Sequence, residues 1–292
     1  SQRMRNHCRG AFVLSQMLRG SFLVTRTSRR CAQQWDPDRY RDETGFVATL
    51  GQPLLEALPS PPLRVLDLGC GEGALTAELV KGGYKVVGVD ADRRMVDAAV
   101  GRGLDARLGD GQRLNFQDGE FDACLSNAAL HWMRDHDAVL GGVSKALKPG
   151  GLFVGECGGQ GNVQGVRNAL ATIAEKRGLD EADLCPWNFP SPDAFEALLR
   201  AHGFVDVAVS HFDRPVPMND PRQFLRIFGD AYFDAVRRKD GTSVDAVCDE
   251  FQAILQDHLL PVETVEGGET GYLIDYVRLR WSAVKKGTKR NE

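Results

Sequence analysis

The sequence predicts an α/β protein with a doubly wound, mostly parallel, seven-stranded sheet and a helical cap insertion. Two observations support this prediction. Short apolar runs alternate with helical patterns from residue 64 to residue 158, and a glycine-rich turn follows the first of these runs. Such alternation is typical of βαβ units, whose right-handed crossovers place helices on both faces of a parallel sheet.

The elements follow in chain order. Strands are predicted at residues 64–68, 85–90, 104–108, 121–126 and 151–156, with helices at 44–58, 74–81, 92–100 and 136–147. Beyond residue 158 helices are predicted at 163–177 and 192–202, and strands at 204–212 and 272–284. No crossover helix separates the last strand from its neighbour, which predicts one antiparallel strand. Residues 217–270 are predicted to form the cap insertion.

Residues 1–34 differ in composition from the rest of the chain. They hold seven arginines, six serines or threonines and no acidic residue, with apolar residues at helical spacing between them. This composition is typical of an organelle transit peptide, and it predicts a mitochondrial or plastid matrix location. The alternative is a basic tail on a cytoplasmic protein. In both cases we expect the folded domain to span residues 35–292.

Composition argues against several classes of partner. The formal net charge of −4 gives no general attraction to nucleic acid, which makes a nucleic-acid partner unlikely. The seven cysteines are scattered, without a CxxC pair, which argues against a metal site and a disulfide framework. No apolar run approaches the roughly 18–20 residues that span a bilayer. We therefore expect a small-molecule substrate, no metal and no membrane.

The turn at residues 67–73 is the strongest functional signal. Gly69, Gly71 and Gly73 lie between a strand and a helix, where a ligand contacts backbone that a Cβ atom would block. The spacing also fits a dinucleotide fingerprint, which needs an anion site at the helix N-terminus. Asp67 and Glu72 instead place carboxylates at this turn. They favour S-adenosylmethionine, which carries an ammonium and a sulfonium but no phosphate.

Polar residues at the ends of the next strands support this cofactor. Asp90 ends the second strand, 19 residues after Gly71, where an acidic side chain accepts ribose hydroxyls. Asp110 follows the third strand and is placed to accept from the adenine amino group, and Asn127 ends the fourth strand. Capping of the next helix or turn is the alternative role for Asp90 and Asp110.

These residues resemble the class I S-adenosylmethionine-dependent methyltransferases from about Trp35 to Pro149. Residues 35–40 (WDPDRY) and 126–132 (SNAALHW) are similar to motifs of the trans-aconitate methyltransferase-like group. The resemblance implies a Rossmann-like methyltransferase fold, with residues 35–40 folded over the cofactor and Tyr40 near its methionine end. One departure is His131, where the enzymes named for aconitate carry Gln. The expected cofactor-binding residues are Tyr40, Asp67, Gly69, Gly71, Gly73, Asp90, Ala91, Asp110, Gly111 and Asn127.

Methyl transfer mainly requires in-line placement of the acceptor, because the sulfonium is already a good leaving group. A carboxylate acceptor needs no general base, whereas a phenol or an amine would benefit from one. His131 adjoins the predicted crevice and is the candidate catalytic base, with packing at the strand end as the alternative. Candidate partners for a carboxylate are Arg214, Arg226, Arg278 and Arg280. For the last two, a salt-bridged sheet face is the alternative.

Three functions fit these residues. The first is O-methylation of a small, carboxylate-bearing metabolite by in-line SN2 transfer. The second is modification of a protein or an RNA in an organelle. The third is a non-catalytic assembly module that binds S-adenosylmethionine. Intact glycines and acids at the turn favour catalysis.

Overall fold

Ten strands form two sheets in the computed structural model, which describes residues 33, 35–38, 50–218, 220–259, 261–263 and 270–287. The strands are β1 (Arg64–Leu68), β2 (Lys85–Asp90), β3 (Ala106–Leu108), β4 (Phe121–Asn127), β5 (Leu147–Gly158), β6 (Phe204–Asp213), β7 (Val216–Met218), β8 (Pro261–Glu263), β9 (Thr270–Ile274) and β10 (Val277–Lys285). The larger sheet has the order β3-β2-β1-β4-β5-β10-β6, and the smaller sheet has the order β7-β9-β8.

The larger sheet confirms the predicted fold class. Strands β1 to β5 pair in parallel, whereas β10 pairs antiparallel with both β5 and β6. The chain moves outward from β1 to β3 on one side and from β4 onward on the other. The carboxyl ends of β1 and β4 therefore open a crevice between them, which is where ligands bind in doubly wound sheets.

The described residues form ten α-helices, some of which cover the two faces of this sheet. They are α1 (Gln52–Glu56), α2 (Ala74–Lys81), α3 (Arg93–Gly101), α4 (His136–Ala146), α5 (Gln164–Glu175), α6 (Glu181–Leu184), α7 (Pro192–Ala201), α8 (Pro221–Phe228), α9 (Asp230–Asp240) and α10 (Val244–Leu255). Helices α4 and α7 pack on the face that holds Leu66, and α1 and α2 pack on the face that holds Val65. Neighbouring residues of a strand point to opposite faces of the sheet. Strand β1 therefore contributes Val65 to one core and Leu66 to the other.

The predicted closing strand at residues 272–284 is two strands. Strand β9 belongs to the smaller sheet and β10 to the larger one, and the break falls at Asp275 and Tyr276. The carbonyl of Asp275 accepts the Val163 amide at 2.9 Å, and the carbonyl of Tyr276 accepts the Arg214 amide at 2.8 Å. The apolar positions change phase at the break, from Tyr272 and Ile274 to Leu279 and Trp281. The prediction of one continuous strand overlooked this change of phase.

The predicted insertion at residues 217–270 contains α8, α9 and α10. These helices share a core with α5, to which they contribute Phe224, Val236 and Phe251. We refer to α8–α10 as the cap. None of the helices in the described residues has the length and apolar character that crossing a bilayer requires.

Several predictions fall on parts of the chain that the structure does not describe. They concern the basic extension at residues 1–34, apart from Gln33, the residue Tyr40, and the first part of the helix predicted at 44–58. The described part of that helix is α1.

Gly155 tests the packing of β5 between its neighbours. A Cβ atom there would lie 2.5 Å from the Ser126 carbonyl oxygen and 2.3 Å from the Trp281 ring. Overpacking typically costs about 1–3 kcal/mol. We expect Gly155→Ala to lower the free energy of unfolding by about 2 kcal/mol, measured by urea unfolding. Gly101→Ala is the matched control, because Gly101 is exposed and has no atom within 4 Å of its added Cβ. Equal stability of the two variants would contradict this packing.

Candidate active site

The three glycines of the turn after β1 serve different purposes. All have positive φ, at 76° for Gly69, 57° for Gly71 and 87° for Gly73. A Cβ atom would lie 2.2 Å from the Ala129 Cβ at Gly69 and 2.4 Å from Leu104 at Gly73, but no atom lies within 4 Å at Gly71. Gly69 and Gly73 are therefore packing positions. Gly71 is the glycine whose backbone faces open space.

Asp90, at the end of β2, holds this turn in place. Its Oδ2 accepts the Gly71 amide at 2.9 Å, and its Oδ1 accepts the Asp92 amide at 2.9 Å. Burial raises the pKa of Asp90, while these two backbone hydrogen bonds oppose the rise. Each carboxylate oxygen has two lone pairs. Each can therefore still accept a hydrogen bond from a ligand.

A cavity with a volume of about 720 Å³ lies at the carboxyl ends of β1, β2 and β4. This volume is in the range of small-molecule sites. The structure brings seven predicted residues together in its lining: Gly69, Gly71, Asp90, Ala91, Asp110, Gly111 and Asn127. We call this the cofactor cavity. Asp110 also caps the 3₁₀ turn at Gly111–Arg113 by accepting the Gln112 amide, so its capping role and its cavity position coexist.

Asp67 and Gly73 lie outside the cavity lining, behind the turn. Asp67 is only 2% exposed and accepts a 2.6 Å hydrogen bond from the Thr76 hydroxyl. Burial is the main reason that its pKa rises to about 6. Asp67 therefore fastens the start of α2 to β1. Its position differs from the predicted contact with the cofactor.

Glu72 also takes no part in the cavity. It is buried and forms an ion pair with Arg102 at the end of α3. The structure therefore gives Glu72 no direct part in selecting the cofactor, because its charge is paired with Arg102. The acidic groups that do line the cofactor cavity are Asp90, Asp92 and Asp110.

Trp35, from the predicted motif at residues 35–40, completes the cavity together with two residues that no motif singled out. The Trp35 amide donates to Asp92 Oδ2 at 3.2 Å, and Gln33 Nε2 donates to the Ile227 carbonyl of the cap at 2.6 Å. Both residues line the cavity, as does Met133. Gln33 thus links the cap to the cofactor cavity. Only tertiary packing brings Gln33 and Met133 to this place.

A smaller cavity of about 70 Å³ adjoins the first, and we call it the acceptor cavity. Four residues line both cavities: Trp35, Asn127, Ala128 and Trp132. The remaining lining consists of Leu50, His131, Glu156, Arg214, Val216, Phe228, Tyr276 and Arg278. Asn127 therefore stands at the junction of two spaces that differ in charge.

Glu156, on β5, lines the acceptor cavity and forms ion pairs with three arginines. Its carboxylate is 1% exposed and accepts from Arg214 at 2.6 and 2.8 Å, from Arg278 Nε at 3.0 Å and from Arg280 at 2.7 and 2.9 Å. Burial raises the pKa of Glu156. The Arg214 hydrogen bonds and the charges of Arg278 and Arg214 outweigh this effect, so the pKa of Glu156 lies below its usual value. Three guanidinium groups against one carboxylate leave two positive charges in excess.

The three guanidinium groups are not equivalent. Arg214 and Arg280 direct two nitrogens each at Glu156 and lie over the Phe212 ring at 5.2 and 5.4 Å. Arg278 uses only Nε for Glu156, and no hydrogen bond within the described ranges occupies its Nη1 or Nη2. Arg278 lines the acceptor cavity, whereas Arg280 does not. The predicted salt-bridged sheet face therefore exists, and it leaves the fork of Arg278 available.

The two remaining candidates lie in different surroundings. His131 lines the acceptor cavity, where it is 8% exposed, and its Nδ1 accepts the Gly158 amide at 3.3 Å. Arg226 lies on α8 and pairs with Asp245 of α10. The structure does not bring Arg226 to either cavity lining.

Comparisons with known proteins agree with this arrangement. A family model described as a methyltransferase domain matches residues 66–155. An uncharacterised methyltransferase of Schizosaccharomyces pombe is 36% identical over 216 residues, covering 69% of this chain and 82% of that protein. The chain belongs to the S-adenosylmethionine-dependent methyltransferases of class I.

Two further matches extend the methyltransferase comparison. A trans-aconitate 2-methyltransferase of Deinococcus radiodurans is 28% identical over 235 residues, which cover 76% of this methyltransferase and 90% of the relative. The crystal structure of the YcgJ protein from Bacillus subtilis has a TM-score of 0.55 and 18% identity, and covers 82% of this chain and 99% of its own. The structural match shows the shared fold.

The cofactor cavity of this methyltransferase fits S-adenosylmethionine by the chemistry of its donor and acceptor groups. Asp90 and Asp110 present carboxylate oxygens, and Gly71 leaves its backbone open to the cavity. These groups complement a nucleoside with hydroxyl and amino donors and a positive charge. None of the described residues form a cluster of three or more ligands that could hold a metal ion.

We expect Gly71→Val and Asp90→Ala each to weaken S-adenosylmethionine binding at least tenfold, or by about 1.4 kcal/mol. Val places a branched side chain in the cavity at a φ of 57°, and Ala removes the acceptor that fixes the turn. Calorimetric titration measures the affinity. Asp97→Ala removes an acidic side chain that is 64% exposed on α3, and we expect it to change nothing. Wild-type affinity in all three variants would defeat the site assignment.

Proposed function

We propose that this methyltransferase transfers the methyl group to a carboxylate oxygen of a small metabolite. The observation that carries the proposal is the open guanidinium fork of Arg278 in the acceptor cavity, beside a cluster of three arginines and Glu156 that holds two excess positive charges. Arginine pairs with carboxylates through two parallel N–H···O bonds. The similarity to a trans-aconitate 2-methyltransferase supports the same acceptor class.

Within this proposal the cofactor cavity binds the methyl donor through four contacts. Asp90 accepts the ribose hydroxyls, Asp110 accepts the adenine amino group, and the Gly71 backbone lies against the nucleoside. Asn127, which lines both cavities, lies next to the methionine end. S-adenosylmethionine, when bound, supplies a methyl group on a positively charged sulfur, and that sulfur is a good leaving group. The chain's own task is to align the acceptor and exclude water.

Glu156 cannot act as a base in the acceptor cavity, and this supports an acceptor that is already ionised. The Glu156 oxygens accept five N–H donors, whereas a carboxylate has about four lone-pair sites. The pKa of Glu156 is also lowered, so it does not take up a proton near neutral pH. A phenol or an amine would need a proton acceptor at this place. A carboxylate needs none.

The walls of the acceptor cavity limit the acceptor to a small or narrow group. Trp35, Trp132 and Phe228 contact one another, with ring centroids 4.9 to 6.0 Å apart. These aromatic rings exclude water from the space beside Asn127. Low local polarity strengthens the pairing between Arg278 and an anion.

Transfer of labelled methyl to defined acceptors tests the proposal. We expect the purified protein to label short mono-, di- and tricarboxylic acids, and not their amides or alcohols. The product should release methanol in mild base, as a methyl ester does. Label in a protein or an RNA fraction instead of a metabolite fraction would contradict the proposal, and so would a base-stable product.

Arg278→Lys separates the guanidinium fork from its charge. Lysine is a point charge that cannot bind a carboxylate in the planar two-point manner. We expect the KM for the acceptor to rise at least tenfold, while the affinity for S-adenosylmethionine changes less than twofold. Arg280→Lys is the matched control, since Arg280 binds the same Glu156 outside the cavity lining. An equal rise in both variants would show that Arg278 is not the anchor.

A further inference from the structure

His131 lies in the acceptor cavity, and one of its ring nitrogens accepts a backbone hydrogen bond. It belongs to the 3₁₀ helix Leu130–Trp132 after β4, and its Nδ1 accepts the Gly158 backbone amide at 3.3 Å. A backbone amide can only donate, so Nδ1 must carry the lone pair. The ring is also fixed by neighbouring aromatic side chains, with centroid distances of 5.5 Å to Trp132 and 5.8 Å to Phe189.

The second ring nitrogen is open to the cavity. Nε2 of His131 forms no hydrogen bond with the part of the chain that the structure describes. The side-chain atoms there that are both fully buried and unpartnered are Asp275 Oδ1 and Trp281 Nε1. Nε2 is therefore accessible, and the space it reaches is the acceptor cavity that the residue lines.

Burial and the neighbouring positive charge keep the His131 ring neutral. Burial, followed by the charges of Arg278 and His136, holds the pKa of His131 well below its usual value. A neutral ring whose Nδ1 accepts a hydrogen bond carries its single proton on Nε2. The titratable groups facing this space from β4, β5, β10, α4 and the adjoining loops are Glu156, Arg214, Tyr276, Arg278 and His136.

We propose that His131 is a neutral hydrogen-bond donor that positions the acceptor carboxylate, and not a base that removes a proton. This inference rests on the proposed function and assigns its second contact. Arg278 and His131 line the same cavity, so both can donate to one carboxylate there. Formation of the ester bond releases no proton, because the attacking oxygen is already ionised. The fixed tautomer of His131 therefore serves to bind the carboxylate. His131, which the sequence predicted as a candidate base, has no proton to accept in this reaction.

Nuclear magnetic resonance of ¹⁵N-histidine in the adenosylhomocysteine complex tests the tautomer without any turnover. The chain has six histidines, and loss of one signal pair in His131→Gln assigns His131. We expect an unprotonated Nδ1 and a protonated Nε2 that stay unchanged from pH 5.5 to 8.5. A proton on Nδ1, or titration within that range, would overturn the inference.

Steady-state kinetics test the positioning role. Glutamine retains an N–H donor but cannot titrate, whereas alanine removes the donor. We expect His131→Gln to keep kcat within threefold and acceptor KM within fivefold of the wild type. We expect His131→Ala to raise acceptor KM at least tenfold, with unchanged Tm and unchanged adenosylhomocysteine affinity. The wild type and the Gln variant should share one kcat/KM profile against pH.

Loss of kcat in His131→Gln, together with an acidic limb that only the wild type shows, would identify a base and overturn the inference. Failure of the proposed function gives a different pattern. In that case no carboxylate accepts the methyl group although the tautomer is as expected, and the positioning role falls with the proposed function. A wrong tautomer with active carboxylate transfer overturns this inference alone.

Discussion

The buried carboxylate of Glu156 is the interaction on which the acceptor side of this protein depends. It lies on β5, one strand from the crevice, and it draws together guanidinium groups from β10 and from the residue after β6. Removal of one partner from a buried ion pair is strongly destabilising, because the remaining charge stays unpaired. Glu156 fixes the end of the antiparallel strand. It also sets how much positive charge remains for a ligand.

The two cavities divide charge in a way that suits the two reactants of a methyl transfer. Asp90 and Asp110 line the cofactor cavity, which receives a cationic donor. Arg214 and Arg278 line the acceptor cavity, which in our proposal receives an anion. Asn127 and Trp132 line both. Electrostatic attraction in each cavity therefore brings the cationic donor and the anionic acceptor to the shared lining at Asn127 and Trp132. Orientation of two reactants in this way lowers the barrier of the step that joins them.

Much of the fold and of the cofactor cavity could be predicted from the sequence, because both depend on local signals. The apolar runs predicted a mostly parallel sheet with one antiparallel strand, and Gly71 and Asp90 belong to the same βαβ unit. Side-chain partners could not be predicted in this way. Arg102 neutralises Glu72 from 30 residues away, and Thr76 turns Asp67 away from the ligand. The break at Asp275 coincides with a change of phase in the apolar alternation, but which sheet each half joins depends on backbone contacts such as the one between Val163 and Asp275.

The acceptor site shows the same limit more sharply. Arg214, Arg278 and Arg280 could be named as candidates, but their order of importance could not, because it depends on how each one meets Glu156. Arg280 turns two nitrogens toward the carboxylate and Arg278 only one. The direction of the His131 ring likewise depends on the Gly158 amide of β5. Such details follow from strand register, which no single sequence segment contains.

The central claim is that an anion binds beside the occupied cofactor cavity. The most direct measurement is calorimetric titration of the adenosylhomocysteine complex with short dicarboxylates and with the matching diamides. The account predicts that a dicarboxylate binds, that its affinity falls as salt concentration rises, and that the diamide of equal size does not bind. Equal binding of acid and amide, or the absence of binding by any acid in the series, would contradict it.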